Sequence, residues 1–174
     1  MLSKSFMKFR YFYLSIIIAL AFSACKKPEQ FPDEPVITFK NIYTTKNAQG
    51  YDTKITVILG FTDGDGDVGY RDPGQNDAIF DDPTSQYYKN YQASFFRFTN
   101  GAWEPENSII SPGGRLPYLT PIGKNKTLKG DISCDFFVPP NAVEDTFRLD
   151  IFIYDRALHK SNIVSTPQVV ITTQ

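Results

Sequence analysis

The sequence predicts an all-β chain folded as a single antiparallel β-sandwich. Three observations carry that expectation. Apolar and polar residues alternate with period two over several stretches. No segment shows a 3.6-residue apolar stripe closed by helix caps. Twelve prolines and eleven glycines punctuate a chain in which 15% of the residues are aromatic, a composition suited to short strands joined by turns.

Taken in order, the chain opens on Lys4, Lys8 and Arg10, continues as the apolar run "YFYLSIIIALAF", and reaches "SAC". A basic start, a short apolar middle and small residues before a cut site are the parts of an export signal. The run is shorter than the about 20 residues a membrane-spanning helix needs. Ending in Cys25, residues 1–24 resemble a bacterial lipoprotein signal, with Phe22 where that family usually has Leu. The resemblance implies that Cys25 carries the lipid and becomes the first residue of the mature chain, anchored in the outer membrane. Lys26 and Lys27 behind it argue against retention in the inner membrane. Residues 25–35 then read as the lipidated cysteine and a charged, proline-rich tether, and residues 36–174 as the domain.

Without residues 1–24 the formal charge moves from 18 − 19 to 15 − 19, or −4, since Lys4, Lys8 and Arg10 are lost. Such a balance disfavours nucleic acid as a partner. The remaining 150 residues suffice for one core. Within them, "KITVILGF" sets Ile55, Val57, Leu59 and Phe61 on one face, and "FRLDIFIYD" does the same with Phe147, Leu149, Ile151 and Ile153. "VITFKNIY", "QASFFRF", "DISCDFFV" and "PQVVITT" are further strand candidates. Residues 63–90 and 99–128 read as long loops, a length that goes with function or contacts.

The first of these loops begins "TDGDGDVGYRD". Asp63, Asp65 and Asp67 stand at every second position after a strand, and seven aspartates lie between 63 and 82 with Arg71 the only base. Clustered carboxylates repel one another and require a cation or water. The spacing matches the start of a calcium loop, in which hard oxygen ligands surround a hard cation. The remainder of an EF-hand is absent: Val68 and Gly74 stand where glycine and a bidentate Glu belong. Asp72, Asp77, Asp81, Asp82 and Asp155 are candidates to complete an inter-strand site. A competing reading makes these residues turn formers, neutralised by Arg71 or Arg156. For Asp155 taken alone, capping of its turn is the favoured role.

Other chemistry has less support. Cys134 shares a strand face with Ile132, Phe136 and Val138 and reads as a small buried hydrophobe without a disulfide partner. The single histidine, His159, lies in the polar turn "RALHKS", and neither G-x-S-x-G nor H-E-x-x-H occurs. Tyr87, Tyr88 and Trp103 belong to an aromatic-rich stretch suited to stacking on sugars or to a protein interface, although sheet packing explains most such residues.

"DTFRLDIFIYDRALHKSNIVSTPQVVI" is similar to the last two strands of bacterial immunoglobulin-like and cadherin-like modules, and together with "FTDGDGDVG" it resembles Bacteroidota outer-membrane lipoproteins that pair a DGDGD(I/V)G loop with a DRA…SN turn. It implies an Ig-like sandwich in the envelope more than an activity. The expectation is a lipid-anchored binding or assembly protein stabilised by Ca2+, acting as an accessory subunit of an envelope complex and not as an enzyme. The alternatives are a surface glycan-binding module and a small hydrolase with a carboxylate site. An enzyme should gather its titratable groups in one deep pocket, a binding module should present a shallow aromatic surface.

Overall fold

A computed structural model describes residues 29–70, 78–106, 112–122, 126–139 and 145–173. The chain is an antiparallel β-sandwich, as the alternation predicts. One sheet runs β1 (Val36–Lys46), β2 (Asp52–Asp63), β6 (Leu128–Phe137). The other runs β4 (Ala102–Glu106), β3 (Tyr91–Thr99), β7 (Asp145–Ile153), β8 (Val164–Ser165), with β5 (Gly113–Gly114) also on β3 and β9 (Val169–Ile171) also on β7. A four-residue helix, α1 (Ala78–Asp81), precedes β3.

The core is the meeting of the two inner faces. Ile55, Val57 and Leu59 from β2, Ile132, Cys134 and Phe136 from β6, and Phe147, Leu149, Ile151 and Ile153 from β7 are buried. Phe136 sits at the centre, its ring edge-to-face with Tyr91 at 5.7 Å and Phe95 at 5.5 Å. Cys134 is fully buried between these strands, and desolvation pushes its thiol up to about 12. Thiol reagents should therefore leave Cys134 unlabelled in the native protein and modify it on unfolding. Rapid labelling of the folded chain, with Cys25 lipidated or replaced, would put the thiol on the surface.

Beyond β7 the pairing passes partly from backbone to side chains. Ile153 N donates to Ser161 Oγ at 3.0 Å while Ser161 N donates to Ile153 O, and Leu149 N donates to Thr166 Oγ1 at 3.1 Å while Thr166 N donates to Leu149 O. Asn162 does the same for the other sheet, accepting from Ile37 N at 2.8 Å and donating to Ile37 O at 2.9 Å. The Ser and Asn of the "KSN" turn thus substitute for a neighbouring strand.

Two findings differ from the sequence expectation. The compact unit begins at Phe31, five residues ahead of the predicted boundary at 36, because Gly64 N donates to Pro32 O at 2.7 Å and Pro35 is buried. The stretch 99–128 is not one loop. Asn100 and Gly101 take positive φ, 53° and 84°, and turn β3 into β4 as a tight Asn-Gly hairpin.

Candidate metal centre

The inward-facing phase of β2 runs Ile55, Val57, Leu59, Phe61 and ends on Asp63, so a carboxylate arrives where the pattern has placed apolar side chains. Asp63 is completely buried. Its Oδ2 accepts from Asp67 N at 3.0 Å and Val68 N at 3.1 Å, which folds residues 64–68 into a tight loop. Val68 is buried in turn and bridges to Asp155. Gly66 has φ +68°, and its Cα faces the Lys126 carbonyl so closely that a Cβ there would fall 1.6 Å from the oxygen.

Three segments clamp the loop from outside. Thr120 Oγ1 donates to Gly66 O at 2.6 Å, and Thr127 Oγ1 donates to Gly64 O at 3.1 Å. From the turn after β7, Arg156 N donates to Asp67 O at 3.3 Å and Ala157 N to Asp67 Oδ2 at 2.9 Å. Phe31 and Pro32 lie against Gly64. These contacts span long sequence separations, and no local signal marks Thr120 or Thr127.

Inside this frame Asp63, Asp65 and Asp67 each present a carboxylate oxygen, and the three atoms lie within 4.8 Å of one another. Asp63 Oδ1 and Asp67 Oδ1 are buried and have no hydrogen-bond partner among the described residues. Burial, followed by the charges of Asp65 and Asp67, pushes Asp63 up to about 7. Burial, followed by Asp155 and Asp65, pushes Asp67 up to about 6. At an effective dielectric of about 20, charges about 5 Å apart repel by roughly 3 kcal/mol per pair. The cluster is therefore held together against its own charge by the surrounding backbone.

Arg156 is at most a partial neutralising partner for the cluster and forms no bidentate pair with it. Its charge does attract Asp67, but Nη2 donates to Thr120 Oγ1 at 2.7 Å, the guanidinium lies 4.7 Å from the Tyr118 ring centre, and Nη1 is buried with no hydrogen-bond partner among the described residues. Arg71, Asp72 and Asp77 lie outside the described residues. Asp81 pairs with Arg115 at 3.2 Å, and Asp82 Oδ1 accepts from Thr84 N and Oγ1, so neither joins the cluster.

Asp155 is buried beside the loop but faces its own turn. Oδ1 accepts from His159 N at 2.7 Å and Oδ2 lies 2.9 Å from His159 Nδ1. This is the capping role. It also gives His159, which stays partly exposed in its polar turn, a partner that raises the imidazole pKa. The triangle of oxygens consists of Asp63, Asp65 and Asp67, with Asp155 adjacent.

The aromatic candidates fall in separate places. Trp103 is half-buried on the outer face of the larger sheet, 5.2 Å from Phe98, with Arg148 5.2 Å from its ring centre. Tyr87 packs edge-on against Tyr154 at 4.9 Å, beyond the opposite end of β3. Tyr88 lies 4.6 Å from the Arg115 guanidinium, which also covers Tyr70 at 4.0 Å. Arg148 likewise covers Phe96, and Lys160 covers Phe152 at 3.7 Å. Among the candidates, cations already lie over faces of Trp103 and Tyr88. A hollow of about 260 Å³ over Gly60, lined by Thr38, Lys40 and Asp131 among others, and one of about 560 Å³ beside Phe96, Pro105 and Phe152, both lie on outer sheet faces. Neither is lined by the aspartate cluster.

No protein-family model matches the chain, and no curated protein or solved structure matches it either.

Proposed function

We propose that the chain is a lipid-anchored envelope protein whose β-sandwich is stabilised by calcium and serves binding or assembly, as an accessory subunit of an outer-membrane complex. The observation that carries the calcium part is the pair of orphaned buried oxygens, Asp63 Oδ1 and Asp67 Oδ1, in a triangle completed by the exposed Asp65. Burying an unsatisfied acceptor costs about 1–3 kcal/mol, more for a charged one. A cation removes that cost at Asp63 and Asp67 together and draws in the exposed Asp65. Calcium suits the set because it accepts irregular oxygen shells of six to eight ligands, the remainder supplied by water or by nearby carbonyls. Asp63, Asp65 and Asp67 hold the ion, whose charge offsets theirs.

The anchor part rests on the basic, apolar and small-residue segments that lead to Cys25. A binding role is favoured over hydrolysis because the hollow over Gly60 is lined by one acid, Asp131, and the one beside Phe96 by one, Glu106, whereas a carboxylate hydrolase needs two acids flanking a substrate cleft.

Two measurements test the proposal. Cys25→Ser should leave the protein unprocessed or soluble, and a variant that still fractionates wholly with outer membrane at high salt would remove the lipid from the account. A pull-down of the intact protein from detergent-solubilised membranes should recover a defined envelope partner in calcium and less of it in chelator. Recovery of nothing beyond the protein itself in both buffers would remove the assembly role.

A further inference from the structure

The aspartate loop, the first residues of the folded unit and Ile122, the most exposed large apolar side chain among the described residues, all lie at one end of the sandwich. Phe31 and Pro32 pack on Gly64, and Lys129 lies 5.6 Å from the Phe31 ring centre. The segment Pro117–Ile122 wraps the same loop through Thr120 and through the approach of Pro117 O to Gly69. It carries Tyr118, 46% exposed, after Pro117 and Ile122, fully exposed, after Pro121. Val36, paired with Thr62 one residue before Asp63, and Ile163, next to the Asn162 that pairs with Ile37, add two more exposed apolar side chains at this end.

Only six residue steps separate Cys25 from Phe31. A fully extended chain covers at most about 3.6 Å per residue, so the start of the folded unit lies no more than about 22 Å from the cysteine. Lys26 and Lys27 occupy the first two of those steps, and basic residues beside an anionic lipid surface are attracted to it.

We infer that this end of the sandwich faces the anchoring bilayer, with Tyr118 and Ile122 inserted at the headgroup boundary. The inference rests on the lipid-anchor reading of Cys25. An exposed isoleucine and half a tyrosine remove too little apolar area from water to recruit a soluble domain to a membrane on their own. Behind a short tether the contact becomes intramolecular at an effective concentration near millimolar, and a weak contact is then well populated. The metal loop suits the same orientation, since two positive charges there offset most of the carboxylates facing the lipid.

The test uses the full lipidated chain, reconstituted with calcium in vesicles of phosphatidylethanolamine with a minority of phosphatidylglycerol. An environment-sensitive fluorophore is placed at Ile122→Cys or, as control, at Gln49→Cys in the β1–β2 turn at the opposite end. Cys134 is buried and stays unlabelled. The probe at 122 should shift to the blue and lose intensity to a spin label carried near the lipid headgroup, while the probe at 49 does neither. Equal and weak quenching at both positions, in protein that floats with the vesicles, overturns the orientation and leaves the anchor standing. Protein that fails to float with Cys25 intact overturns the anchor and the inference with it. A probe at 122 that becomes shielded only when membrane proteins are co-reconstituted makes the tip a protein interface and overturns the lipid contact.

Discussion

Millimolar calcium should raise the melting temperature of the protein by about 8 °C at a hundredfold excess over Kd, since binding to the folded state alone contributes about 2.7 kcal/mol there and a domain of this size gains roughly 3 °C per kcal/mol. Magnesium should do less, because it demands tight octahedral geometry and gives up its water reluctantly. The effect should depend on pH with a defined sign. In the metal-free chain Asp63 rises from 3.8 to about 7 and Asp67 from 3.8 to about 6, so between about pH 4 and 7 the folded state holds more protons than the unfolded one. The contribution of these two groups to stability without metal therefore falls as pH rises through that window, and His159, whose pKa Asp155 raises above 6.5, extends the fall beyond it. Calcium, which needs the carboxylates ionised, should protect most above pH 7 and progressively less toward pH 4. Asp65→Asn keeps the shape and removes one charge, so it should weaken the calcium shift while leaving the metal-free melt equal or slightly higher. A chain indifferent to calcium, and destabilised by Asp65→Asn, would mark the loop as a charged turn.

Gly66→Ala should be the most damaging small substitution in the loop, costing about 3 kcal/mol. Two effects add. An alanine at φ +68° carries the left-handed penalty of about 1–2 kcal/mol. Its Cβ would also meet Lys126 O at 1.6 Å, so the strand of contacts from Thr120 to Thr127 has to move. Gly50→Ala separates the two causes, because φ is +87° there and nothing lies within 4 Å of the added carbon. It should cost only the backbone share, about 1 kcal/mol. Chemical denaturation read by the fluorescence of Trp103 measures both. Gly66→Ala should in addition blunt the calcium shift, and Gly50→Ala should leave it intact. Equal losses in the two variants would mean that the contact with residue 126 contributes nothing.

The strands were legible wherever burial is one-sided. β2 and β7 alternate cleanly because their inner faces meet across the core, and the structure buries Ile55, Val57, Leu59, Phe147, Leu149, Ile151 and Ile153. The long-loop expectation over 99–128 missed β4 although its signal was present: Asn100-Gly101 between aromatic residues is a hairpin signature, hidden by Pro105 and two glutamates in a strand with no buried residue. β5 and β8, two residues each, have no period to read. At the site, the spacing of Asp63, Asp65 and Asp67 was enough to bring three carboxylates together. What the spacing does not contain is which oxygens the backbone would already occupy. Asp155 illustrates this, since its neighbour four residues on takes both of its oxygens, and Thr120 and Thr127 reach the loop across more than fifty residues.

The side chains that pair with β7 and β1 have a consequence for crowding. A bare strand margin offers a row of unpaired amides and carbonyls on which a second molecule can extend the sheet. Here Ser161 and Thr166 fill such positions along β7, and Asn162 fills the one at Ile37. Further along β1 the register slips between Phe39 and Asn41, with Lys40 reaching across the sheet to Asp131. A hydroxyl or amide that satisfies a neighbour's backbone presents no continuing ladder of its own. Molecules packed side by side in two dimensions would then slide past one another at these margins without zipping into fibrils.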